Sequence, residues 1–224
     1  TGQVLNRTSV KSANAKPTHQ FDLTVMNPPV LNGIGCDTLL YNLDNPTLYG
    51  IAVYTWGAGN GYLAGANIYG DKQKGNYFNV SASTNSNYVT GVRFVMGKVN
   101  SPNLSKTVRF NVYNLGATIT LAGTSDPITL SDLKPLVGGY VDYKFPTAIP
   151  IPDKEFIVSL DVTSLSWAAL DSVSLASSSV TNTIVPDSAL EMASDDNWYF
   201  LSGYNGLQNG MFFYLFPYVS DNSN

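Results

Sequence analysis

Charge is what this sequence has least of. Of its 224 residues only 12% are charged, against roughly 25% in an ordinary globular domain. The inventory is 12 Lys+Arg, 14 Asp, two Glu, one His and one Cys. With a single cysteine, Cys36, no intramolecular disulfide forms, and a chain this long can bury a conventional core without one. One imidazole, His19, in a polar lead-in, leaves little for a Ser-His-Asp or Cys-His nucleophile. It reads as a solvated side chain, and Cys36 as a small apolar core residue. No G-x-S-x-G elbow frames a serine, since Leu201-Ser202-Gly203 lacks the first glycine. Zinc and iron sites need more His and Cys than are present.

Other absences narrow the partners. The formal net charge is −4, and no basic run exists to displace counterions from a phosphate backbone, which excludes nucleic acid as the expected partner. Lys72 and Lys74, the densest basic pair, sit beside Asp71. The longest strongly apolar stretch, Met211 to Phe216, is far short of the roughly 20 residues that span a bilayer. Thr1 to Pro17 is polar and lacks an apolar signal segment, so an exported form would be a mature chain. Helical periodicity is nearly missing too. The one good start signal is Ser131, which is expected to cap a single turn before Pro135 and Gly138-Gly139.

Polar uncharged and aromatic residues fill the space. Asn, Ser and Thr number 22, 22 and 18, and aromatics are 12% of the chain. Short β-branched or aromatic runs alternate with polar residues and stop at Gly, Asn, Pro or Ser. Val108–Asn114, Val141–Phe145 and Phe156–Val162 keep a period of two, which places one row of side chains inward and the next outward. Phe21–Met26, Leu48–Tyr54, Tyr88–Met96, Ala169–Ala176 and Met211–Tyr218 are further predicted strands. The expected fold is all-β, an antiparallel β-sandwich of jelly-roll type. Residues 1–20 are expected to form a flexible lead-in, 21–220 one domain, and 221–224 a tail.

Several groups of residues carry candidate chemistry. Gly57-Ala58-Gly59-Asn60-Gly61 lacks the Lys-Ser/Thr of a phosphate loop and reads as a flexible connection. Glu155 and Glu191 are the only glutamates, and neither lies in a strand-borne acidic cluster of the kind that serves sugar hydrolysis. Asp195 and Asp196, with Asp187 and Glu191 just upstream, form the densest acidic spot. They are either a solvated turn or the ligands of a structural calcium ion. The aromatic loops offer more. Trp56, Tyr62 and Tyr69, with Asn67, flank the glycine run. Trp198, Tyr199 and Tyr204 fall in a second loop-rich stretch, and Trp167 stands alone. Ring faces that stack on sugar C–H groups, beside amides and hydroxyls, suit glycan binding. The same rings also serve as ordinary core residues.

The stretch from Gly61 to Phe78, GYLAGANIYGDKQKGNYF, resembles the GY-x-x-G-x-N-x-YGD segment of β-sandwich modules in large secreted Bacteroidetes proteins. Those modules precede the C-terminal sorting tail of the type IX secretion system. Gly91-Val92-Arg93-Phe94, Val108–Tyr113, Ile128–Leu133, Phe156–Asp161 and the span from Asn197-Trp198 to Pro217 are similar to later landmarks of that family, so the likeness runs from about Cys36 to Val219. It implies a sandwich fold and a secreted or cell-surface location, and it brings no catalytic residues. Since such modules accompany peptidases, glycanases and adhesins, fold and location transfer better than activity.

Three functions follow as expectations. The first is a non-catalytic module that binds polysaccharide or cell-surface glycan, or is adhesive. The second is a structural spacer beside other domains of a larger secreted protein. The third, a glycan-active hydrolase, is the least expected. The positions of Trp56, Trp167 and Trp198 discriminate between the first two.

Overall fold

In the computed structural model the described residues are 38–39, 51–56, 59–80, 86–178, 188–204, 207 and 210–221. His19, Cys36, Asp187, the predicted strand Phe21–Met26 and the lead-in lie outside them.

The described residues form antiparallel sheets with one short α-helix. Strands β1 (Thr38–Leu39), β2 (Ile51–Ala52), β3 (Gln73–Asn79), β4 (Tyr88–Asn100), β5 (Thr107–Leu115), β6 (Ile119–Thr124) and β7 (Ile128–Thr129) precede the helix α1 (Leu130–Leu133). After it come β8 (Tyr140–Pro150), β9 (Glu155–Asp161), β10 (Ser172–Leu175), β11 (Ser177–Ser178), β12 (Ala189–Met192), β13 (Trp198–Phe200) and β14 (Leu215–Ser220). One sheet runs β1-β14-β4-β10, with β8 on the other side of β4; the second runs β13-β12-β3-β9-β5-β6, with β7 also on β5. The ribbon β11–β2 joins the first sheet where Ala176 N donates to Val95 O and Tyr214 N to Ala176 O.

Alternation explains the layers. In β5, Val108, Phe110 and Val112 are buried while Arg109 is exposed. They face Phe156, Val158 and Leu160 of the neighbouring β9 in one apolar core. Phe94 of β4 meets Phe110 of β5 at 4.7 Å between ring centroids, closing one sheet on the other, and Phe78 stacks on Phe156 at 5.4 Å. Each such ring, fully buried, is worth about 1.5–3 kcal/mol in transfer from water. A smaller cluster, Ile51, Val95, Ala176, Phe212, Tyr214 and Phe216, is buried separately.

Several boundaries differ from expectation. Strand β8 runs through Pro146 to Pro150 where a stop at Pro146 is predicted. Its partner β4 shifts register between Val89 and Gly91, and that irregularity accommodates the proline segment. The span expected as one strand from Ala169 begins instead with a 3-10 turn, Trp167–Ala169, closed by Leu170 at φ +64°. Helix α1 is capped by Thr129, not Ser131: Asp132 N donates to Thr129 Oγ1 at 3.2 Å, so the helix starts one residue before Ser131. Among the described residues no helix is long and apolar enough to cross a membrane.

Candidate functional site

The segment from Gly61 to Phe78 folds as a tight corner and then the strand β3. Isolated bridges Gly61–Asn67 and Gly65–Ser174 hold the corner. Both glycines are required by space. A Cβ on Gly65 would lie 1.9 Å from Val173 O, and one on Gly61 (φ +91°) 2.4 Å from Asn67 Cα. Asn67 organises the loop from inside: its Oδ1 accepts from Tyr69 N at 3.0 Å, and its Nδ2 donates to Asp71 Oδ2 at 2.7 Å.

The polar residues of this segment converge on a buried charge cluster. Lys74 is 0% exposed. Its Nζ donates to Asp71 Oδ2 at 2.6 Å and to Glu191 Oε2 at 2.5 Å. Glu191, equally buried, lies on β12 directly opposite Lys74 in the register of β12 and β3. Tyr204 Oη donates to the other Glu191 oxygen, Oε1, at 2.8 Å. Burial alone would lower the Lys74 pKa, but the two carboxylates outweigh it and hold the ammonium above its usual range. Burial, and then the Glu191 carboxylate, push the Tyr204 hydroxyl up.

Trp56 roofs this cluster. It is 0% exposed and meets Tyr69 and Tyr204 edge-on at 6.0 and 5.5 Å. Four of the predicted binding residues, Trp56, Asn67, Tyr69 and Tyr204, are thus brought together around the buried charge cluster, Trp56 and Asn67 buried and Tyr69 and Tyr204 half-buried. Trp56 offers no ring face to solvent. Lys74 and Glu191, the centre of the cluster, stand out in the sequence only as one of a basic pair and one of two glutamates, with nothing to join them. The available signal was position: Lys74, Asn76 and Phe78 share one face of β3 by the period of two.

The remaining predicted residues separate. Trp198 is 6% exposed and packs on the outer face of the second sheet, edge-on to Tyr113 at 5.3 Å, in a cluster with Ile157 and Leu190. Tyr199 Oη donates to Asp195 Oδ2 at 3.0 Å within the β12–β13 turn. Asp195 also accepts from Asn197 N, and Asp196 pairs with Lys72 at 2.6 Å. These contacts organise the turn at Asp196, where φ is +66°. Among the described residues no three His, Cys, Asp or Glu side chains are grouped to hold a metal ion.

Tyr62 belongs to another corner. It meets Trp167 edge-on at 5.8 Å, and Trp167 Nε1 donates to Gly59 O at 2.8 Å. Burial raises the Tyr62 hydroxyl pKa against a hydrogen bond with Ser172 that lowers it. Trp167 is partly exposed, unlike the other two tryptophans. Leu170, which closes the turn after Trp167, is 69% exposed. Ile68, whose N–H donates to Asn60 O beside Gly59, is 54% exposed.

No protein-family model, curated protein or solved structure matches this chain. The chemistry of its surfaces therefore carries the functional reading. Lys74 and Glu191 at the centre of the buried cluster are shielded from solvent, whereas the Trp167–Tyr62 corner combines a partly exposed indole with amides and hydroxyls.

Proposed function

We propose that the protein is a non-catalytic β-sandwich module of a secreted or cell-surface protein, binding a hydroxyl-rich glycan at the Trp167–Tyr62 corner. The observation that carries this reading is the fixed, partly exposed indole of Trp167, tethered through Nε1 to Gly59 O and braced edge-on by Tyr62. An immobilised aromatic face stacks on sugar at little entropic cost, and Ser166 beside it in the chain and Ser172, hydrogen-bonded to Tyr62, bring polar groups to the corner. The scarcity of charge suits a neutral, hydroxyl-bearing partner. The order of landmarks from Gly61 to Pro217 supports assignment to the secreted Bacteroidetes modules that those landmarks resemble, and with it an extracellular setting.

A second reading, a spacer without a ligand of its own, draws on the burial of Trp56 and Trp198. Retention on insoluble polysaccharides, with a soluble-glycan array in parallel, separates the two. Retention that is lost in Trp167→Ala, with the far-ultraviolet spectrum unchanged, supports glycan binding. Absence of retention on every polysaccharide, or retention indifferent to Trp167→Ala, overturns it. Acrylamide quenching checks the premise: it should reach Trp167 fluorescence and leave Trp56 and Trp198 largely protected.

A further inference from the structure

We propose that Lys74 and Glu191 form an intramolecular amide cross-link, made by the folded chain itself with loss of one water. The reacting groups are already in contact: Nζ of Lys74 lies 2.5 Å from Glu191 Oε2, and their backbones are directly opposed on adjacent antiparallel strands. Their side chains are both 0% exposed, and that of Asp71 is 1% exposed.

Three neighbours supply what an amine attacking a carboxyl group needs. Asp71 Oδ2, 2.6 Å from the same nitrogen, is placed to take a proton from it. Asn67 Nδ2 donates to that oxygen and fixes its position. Tyr204 Oη donates to Glu191 Oε1, where negative charge develops during attack, which is the placement that stabilises an oxyanion.

The cluster begins as one ammonium, Lys74, and two carboxylates, Asp71 and Glu191, with a net charge of −1. Lys74 gives Oε2 the proton it already donates to that oxygen, which leaves a free amine beside a neutral carboxyl group. The nitrogen lone pair forms the N–Cδ bond while the Cδ–Oε1 π pair moves onto Oε1. Asp71 takes one proton from the nitrogen and delivers it to the Oε2 hydroxyl. The Cδ–Oε2 bond breaks, water leaves, and the Cδ–Oε1 double bond re-forms. The products are one secondary amide, one water and the Asp71 carboxylate, so atoms and charge balance and nothing is oxidised.

Two physical effects drive the reaction. Groups that a fold holds in contact react at effective concentrations far above those of free reactants, up to the order of 10^5–10^8 M where they align for attack. Condensation also replaces the Lys74–Glu191 ion pair in a low-dielectric interior with a neutral amide, removing the cost of keeping both ions from water.

The test is the intact mass of the purified, folded chain measured after denaturation. The mass expected is that of the sequence less one water, with fragmentation locating a branched peptide that joins Lys74 to Glu191, and with trypsin failing to cleave after Lys74. Asp71→Asn, checked for folding by circular dichroism, should keep its full sequence mass. A folded wild-type chain at full sequence mass overturns the proposal, as does a water loss that maps to any other pair. Water loss undiminished in Asp71→Asn overturns the role given to Asp71.

Discussion

Asn76 and Phe213 exchange hydrogen bonds in both directions across the sandwich. Asn76 Nδ2 donates to Phe213 O at 2.7 Å, and Phe213 N donates to Asn76 Oδ1 at 2.9 Å. The same Nδ2 also reaches Leu215 O at 3.0 Å. One buried amide of the second sheet thus satisfies the backbone at the entry to β14 in the first.

Replacing Asn76 with Ala should therefore cost more than the side chain's size suggests. Phe213 O keeps its bond from Leu215 N, so the loss falls chiefly on Phe213 N; a buried group that loses its partner costs about 1–3 kcal/mol, and a loss in that range is expected from urea unfolding. A change below 0.5 kcal/mol, on the order of an ordinary surface substitution, would show that the latch is not energetically coupled to the fold.

The corner glycines give a second prediction. Gly65→Ala drives a Cβ into the backbone of Val173 and Ser174, where nothing flexible can yield. Overpacking of this kind should cost about 3 kcal/mol. Gly203→Ala is the matched control, because its Cβ would meet nothing within 4 Å. Equal denaturation midpoints for the two variants would contradict the close-packed corner.

The third concerns acid. Arg93 donates from Nε and Nη2 to the two oxygens of Asp142 at 2.6 and 2.7 Å, and Tyr218 Oη adds a bond at 2.7 Å. Partial burial would raise the Asp142 pKa, but these bonds outweigh it and set the value below the ordinary 3.8. A depressed folded pKa means stability that is in place above the unfolded value and lost as pH falls through the folded one. Stability should thus drop as pH falls below about 4, and Asp142→Asn should flatten that drop while lowering stability at neutral pH. Parallel acid limbs in the two proteins would remove Asp142 as a contributor.

How much of this was legible depends on what each strand buries. Strands β5 and β9 were readable because their inward rows are Val, Phe and Leu, so period and hydrophobicity agree. Strand β3 was not, because its inward row carries Lys74 and Asn76. A pattern rule places such residues in water unless their partners, Glu191 and the Phe213 backbone, are already known. Those partners lie 117 and 137 residues away, beyond any local window. The tryptophans failed for the converse reason. Trp56 and Trp198 follow or precede Gly- and Asp-rich stretches that read as surface, yet Trp56 is buried against Tyr69 and Tyr204, and Trp198 begins β13 and packs on Tyr113, Ile157 and Leu190. Trp167, in an unremarkable Ser/Ala stretch, is the accessible one. In α1, Thr129 and Ser131 are both competent caps two residues apart, and the pairing of Thr129 with Thr107 across β7 and β5 fixes which one is used.

The placement of β14 has a mechanical consequence. It lies between β1 and the 13-residue strand β4, antiparallel to both. A pull on the chain at Ser220 runs along the strand axis, so its ladder bonds to β4 bear load side by side instead of opening one after another. The Asn76 latch anchors the far end of the same strand to the opposite layer. Traction from that side meets a clamp, and the strand yields only by slipping as a whole.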